Sequence, residues 1–189
     1  MHDDELWQKY NDNGTAANNQ GAPAGEFKEN PDYIMGNAHV WLWKKDGEGV
    51  HILLQRRSLT KSSKPGWYHI SAGGHINVNE APFEAAVRET HEELGLELNP
   101  ELLHYTATTR IIGRAPNDIV NIYLYELEGN EKITYNDGEA ESFDWVSLSE
   151  FEKIAAKPLD HNLIDQGSLY FGTLLASIKY VTKGEDILR

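Results

Sequence analysis

Residues 74–96 read GHINVNEAPFEAAVRETHEELGL. Asn79 stands where a helix N-cap is favoured, Pro82 suits a first helical turn, and Gly95 is a natural C-terminal stop. The stretch therefore predicts a helix over 80–94. At about 100° per residue, Phe83, Ala86, Val87, Thr90 and Leu94 share one stripe, the expected buried face, while Glu89, Glu92 and Glu93 occupy a second arc roughly 125° away. Carboxylates at these spacings repel by about a few tenths of a kcal/mol per pair, and they lie where the helix dipole disfavours negative charge. A hard divalent cation such as magnesium takes oxygen ligands and is commonly shared between carboxylates and substrate phosphates, so it fits the cluster. Arg88 has Glu92 and Glu84, each four residues away, as ion-pair partners. Taken alone, such a helix more often presents a solvated acidic face.

Working outward, residues 6–10 read as a short strand and NDNG at 11–14 as the turn of a small hairpin. Residues 15–31, rich in Asn, Gly, Ala and Pro, read as a loop. From Gly36 a strand carries bulk on both faces, Ala38, Val40 and Leu42 on one and His39, Trp41 and Trp43 on the other, which suggests burial from both sides. KKDGEG is a turn, 50–55 a second strand, and 68–72 a short strand before the pair Gly73 and Gly74. Strand-like runs follow at 102–112, 119–127 and 143–146, with helices near 147–156 and 166–181. Strands and helices mix without strict alternation, so the expected class is α/β or α+β, a mixed sheet covered by helices on both faces. The expected organisation is an N-terminal hairpin and loop appendage over 1–35 and one domain over 36–189.

The 189 residues include 17 Lys+Arg against 30 Asp+Glu, a net charge of -13. That field disfavours nucleic acid and anionic lipid as partners, and an anionic small-molecule ligand would need a local basic patch or a bridging cation. The segment QRRSLTKSSKPGWYHISAGGH supplies the patch: Arg56, Arg57, Lys61 and Lys64 are candidate contacts for phosphate oxygens, with His75 beside them. The chain has no cysteine, which excludes disulfides, thiolate-bound zinc and a thiol nucleophile. The eight histidines show no helical four-residue pair suited to zinc. The acidic start MHDDELWQKYNDN is unlike a secretory leader, and the apolar-rich run 166–178 is shorter than the ~20 residues of a spanning helix, so a cytoplasmic protein without membrane association is expected. Two roles are open to the last helix, covering the sheet or contributing to a homodimer.

The pattern Gly74, five residues, Glu80, seven residues, Arg88-Glu89, two residues, Glu92-Glu93, one residue, Gly95 and apolar Leu96 resembles the signature of the Nudix hydrolases. Seven fixed letters match, which chance would give about once in a hundred million starts. Thr90 departs from the apolar residue usual at its position; its methyl group is expected to pack and its hydroxyl to bond the preceding turn. The resemblance covers about 36–156 and implies an α/β/α sandwich with a mixed curved sheet between helices. It also implies a magnesium-dependent hydrolase, with manganese as the alternative ion, cleaving the diphosphate bond of a nucleoside diphosphate linked to another moiety or of a related small diphosphate. Carried over, Glu89, Glu92 and Glu93 look like the metal-binding and water-activating carboxylates, with the Gly73 carbonyl as a further ligand and Glu92 as the candidate base. Arg88 would orient Glu89, and Gly74, Glu80 and Gly95 would hold the loop and helix together. Glu139 and Glu141 are candidates for an extra base or ligand outside the pattern.

The segment from Arg56 to His75 is also similar to that of type 1 isopentenyl-diphosphate isomerases, with Arg-Arg, a Lys, Pro-Gly-x-Trp and Gly-His in the same order. Those enzymes use a cysteine where this chain has Gly73, and a later acidic pair where it offers only Asp118. The isomerase is therefore the disfavoured enzyme reading, and a catalytically silent nucleotide-binding module is the alternative of another class.

Overall fold

The computed structural model describes residues 5–111, 117–134 and 138–183. Strand β3 (Ile34–Asp46) organises the rest. Along one edge it pairs in parallel with β8 (Asn117–Glu126), from Ile34 opposite Asn117 to Trp43 opposite Glu126. Along its other edge it takes three antiparallel partners in turn: β1 (Leu6–Tyr10) at its start, β6 (Ala72–His75) at its middle, and β4 (Gly49–Arg57) at its end. Outside these, β2 (Ala16–Pro23) pairs with β1, β5 (Tyr68–His69) and β9 (Ala140–Ser147) with β4, and β7 (His104–Ile111) with β8. Where β6 gives way to β4, the buried Ser71 hydroxyl accepts the Leu42 N–H at 2.8 Å and donates to the Leu53 carbonyl at 2.6 Å. One side chain thus satisfies two backbone groups that a continuous ladder would have paired.

The alternation read along β3 has its two faces in two cores. Ala38, Val40 and Leu42, with Leu53, pack against Ala85, Ala86 and Leu94 of α2 (Pro82–Leu94). Trp41, Trp43, Ile52 and Leu54 pack against Phe151 and Ile154 of α3 (Leu148–Ala156) and Phe171, Leu174 and Ile178 of α4 (Ser168–Thr182). Burying each such large side chain stabilises the fold by about 1.5–3 kcal/mol. The result is a mixed sheet between helices, the α/β/α sandwich expected, in which α4 covers the sheet. Among the described residues no helix is long and apolar enough to cross a membrane.

Three local expectations are corrected. Residues 15–31 are not a loop: they form β2 and the short helix α1 (Ala24–Glu29). The hairpin's coherence comes from Gln8, whose buried amide donates to the carbonyls of Ala17 at 2.6 Å and Gln20 at 3.0 Å. The single strand expected over 68–72 is two, β5 on β4 and β6 on β3, divided at Ser71, and the glycine pair lies inside β6. Helix α2 begins at Pro82 with Ala81 as its cap, while Asn79 takes a left-handed φ of 64° in the preceding turn. Ile112, the expected end of the strand after α2, lies outside the described residues.

Candidate active site

Helix α2 is held from both ends. Glu84 accepts the Ala81 N–H at 2.8 Å, so it serves the first turn and is not a partner of Arg88. Gly95 closes the helix in the left-handed region at φ 66°. The Thr90 hydroxyl bonds back to the Ala86 carbonyl at 2.7 Å, as expected. The buried residues are Ala85, Ala86, Thr90, Glu93 and Leu94, whereas Phe83 is 46% exposed. The buried face is thus rotated by about 50° from the stripe expected, toward the glutamates. Size accounts for this, because Ala85 and Ala86 let the helix lie close on the sheet while Phe83 in the first turn stays largely exposed.

That rotation separates three glutamates that look equivalent in the sequence. Glu93 is only 6% exposed and accepts a 2.8 Å hydrogen bond from Gln55 Nε2 on β4. Glu89 is half-buried and accepts from Arg88 Nη1 at 2.8 Å. Burial pushes its carboxyl up to about 7 despite the neighbouring Arg88 charge. Glu92 points outward and takes a 3.1 Å bond from the same Nη1.

Arg88 is the centre of the loop–helix connection. Its Nε and Nη2 clamp both oxygens of Glu80 at 2.7 and 3.0 Å, and Nη2 also donates to the His75 carbonyl at 2.9 Å. Glu80 in turn accepts the Asn77 N–H at 2.8 Å. Burial pulls the Arg88 pKa down, but the bonds and charges of Glu80 and Glu89 outweigh it and leave the guanidinium above its ordinary value. A Cβ on Gly74 would lie 2.4 Å from the Glu89 carboxyl carbon, so only glycine lets the carboxylate rest against β6. Gly74→Ala should therefore displace Glu89, and misplacing a catalytic group in this way should lower any metal-dependent turnover at least about tenfold; wild-type rates in the alanine protein would refute the contact's importance.

These groups line one cleft of about 770 Å³, which Gly73, Gly74, His75, Arg88, Glu89, Glu92 and Glu93 share with Arg57, Lys61 and Glu139. Arg57 is braced by the Ser63 carbonyl, and Lys61 is ion-paired with Glu139. Arg56 and Lys64 are not among its lining residues. Arg56 lies over the Tyr68 ring and bonds its hydroxyl at 3.0 Å, Tyr68 donates on to Asp144, and Lys64 covers Trp67. Glu141 does not line the cleft either. His75 lies flat on Trp7, ring centroids 3.5 Å apart, and burial, with the Arg88 and Lys28 charges, lowers its pKa to about 4 against the pull of Glu139. His39 sits on the far side of the sheet, its Nδ1 2.9 Å from the Tyr170 hydroxyl, which also accepts from Trp41.

Sequence reasoning missed Gln55, Trp7, Phe27 and Lys28, of which the last three line the cleft. For Gln55 a signal existed, since a lone amide in a strand as apolar as β4 asks for a buried polar partner. Among the described residues no three histidine, aspartate or glutamate side chains converge as a ready-made cation cage. The donor set is nevertheless of the right kind: Glu89, Glu92, Glu93 and Gly73 line one cleft, and carboxylate and carbonyl oxygens are the ligands that hard cations take.

A mixed sheet between helices thus sets an acidic helix and a glycine-bearing strand across one cleft from a basic loop. The family model of the NUDIX domain matches residues 35–166, and the chain belongs to that family. It is similar to Nudix hydrolase 3 of Arabidopsis thaliana, 28% identical over 144 residues, 71% of this chain and 18% of that protein. It is also similar to the isopentenyl-diphosphate Delta-isomerase of Streptomyces griseus, 46% identical over 71 residues, 38% of this chain and 34% of that enzyme. The chain thus spans about a third or less of the length of these two relatives. A solved structure from Deinococcus radiodurans shares the fold with a TM-score of 0.66 at 18% identity, covering 90% of this chain and 98% of that one.

Proposed function

We propose that the protein is a divalent-cation-dependent hydrolase that cleaves a diphosphate bond, in a nucleoside diphosphate linked to another moiety or in a related small diphosphate. The observation that carries this reading is the meeting of Glu89, Glu92 and Glu93 with Arg57 and Lys61 on one cleft. The name of the Arabidopsis relative, Nudix hydrolase 3, supports a hydrolase reading.

Magnesium or manganese would be held by Glu89, Glu92 and Glu93 with the Gly73 carbonyl; when bound, such an ion neutralises a diphosphate and lowers the pKa of a bound water for attack on phosphorus. The chain's own groups do the rest. Arg57 and Lys61 bind the phosphate oxygens, with Lys61 exchanging Glu139 for substrate. Arg88 keeps Glu89 and Glu92 aimed at the cleft. Gln55 fixes the rotamer of Glu93, and Glu92, open to solvent, is the group free to take the proton of the attacking water. His75, held low in pKa, touches the ligand as a neutral ring.

The isomerase relative bears on the same cleft. By the resemblance, the cysteine of such isomerases would fall at Gly73, which has φ 152° here and where an added Cβ would lie 2.3 Å from the Ala38 carbonyl oxygen. The backbone leaves no room for that side chain, which argues against the isomerase. The test is release of nucleotide or phosphate from nucleotide sugars, dinucleotides, nucleoside triphosphates and isopentenyl diphosphate, with magnesium and with chelator. Metal-dependent release is expected for at least one. Nucleotide binding without release would make the protein a binding module, and interconversion of isopentenyl diphosphate with its isomer would make it an isomerase.

A further inference from the structure

Helix α4 meets the sheet with one side only, where Tyr170, Phe171, Leu174 and Ile178 are buried in the core it shares with α3. Its other side carries no carboxylate. Among the described residues α4 is the one α-helix with neither Asp nor Glu, whereas α1, α2 and α3 each hold at least two. The single charge along it, Lys179, is engaged by Glu152 of α3. Two large side chains project from this neutral face, Leu169 at 73% and Tyr180 at 63% exposed, and neither is used by the chain's own core. In helical geometry they lie only about 20° apart round the axis and about 16 Å apart along it, with Thr173 and Ala176 on the line between them. Thr173 and Ala176 are small, as are Gly172 and Ser177 beside them, so Leu169 and Tyr180 bound an open hollow of about 540 Å³ lined by α4 alone.

We infer that the outward face of α4 pairs with the same face of a second copy of this chain, antiparallel, about a two-fold axis between Leu174 and Leu175. An isologous contact must be complementary to itself, and this face is. Small residues occupy its middle, where two helices crossing at about −50° come closest, and a bulky one stands near each end, so that Leu169 comes alongside the partner's Tyr180. The ends are also opposite in charge: Asp165 precedes α4 and Lys183 is its C-terminal cap, so the same axis brings Lys183 to the partner's Asp165. Copies of net charge -13 repel one another, and here they meet without setting helical carboxylates against each other. A face of about 22 Å by 10 Å on each copy is small for a specific contact, so the dissociation constant should be on the order of 10–100 μM. The pairing does not depend on the chemistry of the cleft, since α2 packs on the opposite side of the sheet.

Sedimentation equilibrium of the full chain from about 5 to 500 μM should show the 21.4 kDa chain passing to twice its mass. The axis sets Ala176, which is exposed, opposite the partner's Thr173, which is half-buried. Ala176→Glu puts two carboxylates, and Thr173→Lys two ammonium groups, across the axis, so each variant should pair at least about tenfold more weakly with itself. Mixed in equal amounts, the two variants should pair with each other, Glu facing Lys, at least as tightly as the wild-type chain pairs with itself. A folding defect cannot produce that pattern, because mixing recovers what each variant alone has lost. A chain that stays monomeric at about 500 μM, which would leave the face to a partner of another kind, overturns the pairing. So does a dimer indifferent to both substitutions, or a pair of variants that does not recover on mixing.

Discussion

Glu93→Gln is expected to lower turnover about 10²–10⁴-fold, the range that loss of a catalytic ligand or proton-transfer group produces. The substitution removes a charge and keeps the volume. In the fold, Glu93 is buried against β4 and accepts from Gln55 Nε2, a bond that an amide oxygen can still accept. Melting temperature should therefore move by only a few degrees, because the buried group keeps its size and its acceptor for Gln55. Steady-state rates with magnesium and a thermal melt on the same preparation separate the two effects. A rate within about twofold of wild type, far less than the loss of a catalytic group causes, would sink the assignment of Glu93 to the site.

Arg88→Ala should damage stability and activity together. Five hydrogen bonds leave this guanidinium, to both oxygens of Glu80, to Glu89, to Glu92 and to the His75 carbonyl. Without it, Glu80 and Glu89 are left as partly buried charges without their cation, at a cost of about 2–4 kcal/mol, below the range for fully buried pairs. For a chain of this size that corresponds to a fall in melting temperature of roughly 5–15 °C. Arg88→Lys should rescue little, because one ammonium cannot span Glu80 bidentately and still reach Glu89. Glu92→Gln is the contrasting case: Glu92 is 51% exposed, and its pair with Arg88 contributes less than about 1 kcal/mol to stability. If Arg88→Ala melted like wild type, the connection between the glycine strand and the helix would have to be held by something other than this residue.

Much of this arrangement is legible in the residues. The spacing of Gly74, Glu80, Arg88 and Gly95 is what a strand, a turn and a capped helix need to close on one another, and bulk on both faces of β3 announces a strand between two layers. What is not legible is set by contacts distant in sequence. Residues 15–31 carry no periodicity, and their strand and helix depend on the Gln8 amide and on Phe27 and Trp7 packing together. The different fates of Glu89, Glu92 and Glu93 follow from the rotation of α2, which a pair of alanines permits and which helical spacing alone misplaces. Arg56 and Arg57 illustrate a rule available from the start: neighbours in a strand point to opposite faces, so both could not serve one cleft. Arg57 lines it and Arg56 turns to Tyr68.

The long parallel pairing of β3 with β8 has a consequence for how the protein is born. The partner of residues 34–43 is encoded roughly 80 residues further along the chain, and such non-local pairings are the slow step in folding. At ribosomal speeds of about 5–20 residues per second, β3 waits roughly 4–16 s for it. During that interval an apolar run holding Trp41, Leu42 and Trp43 has one edge unmated, open to any other nascent strand it meets. The same strand that joins every layer of the finished molecule is thus its greatest hazard during synthesis, and the early hairpin that caps its start is the first protection it receives.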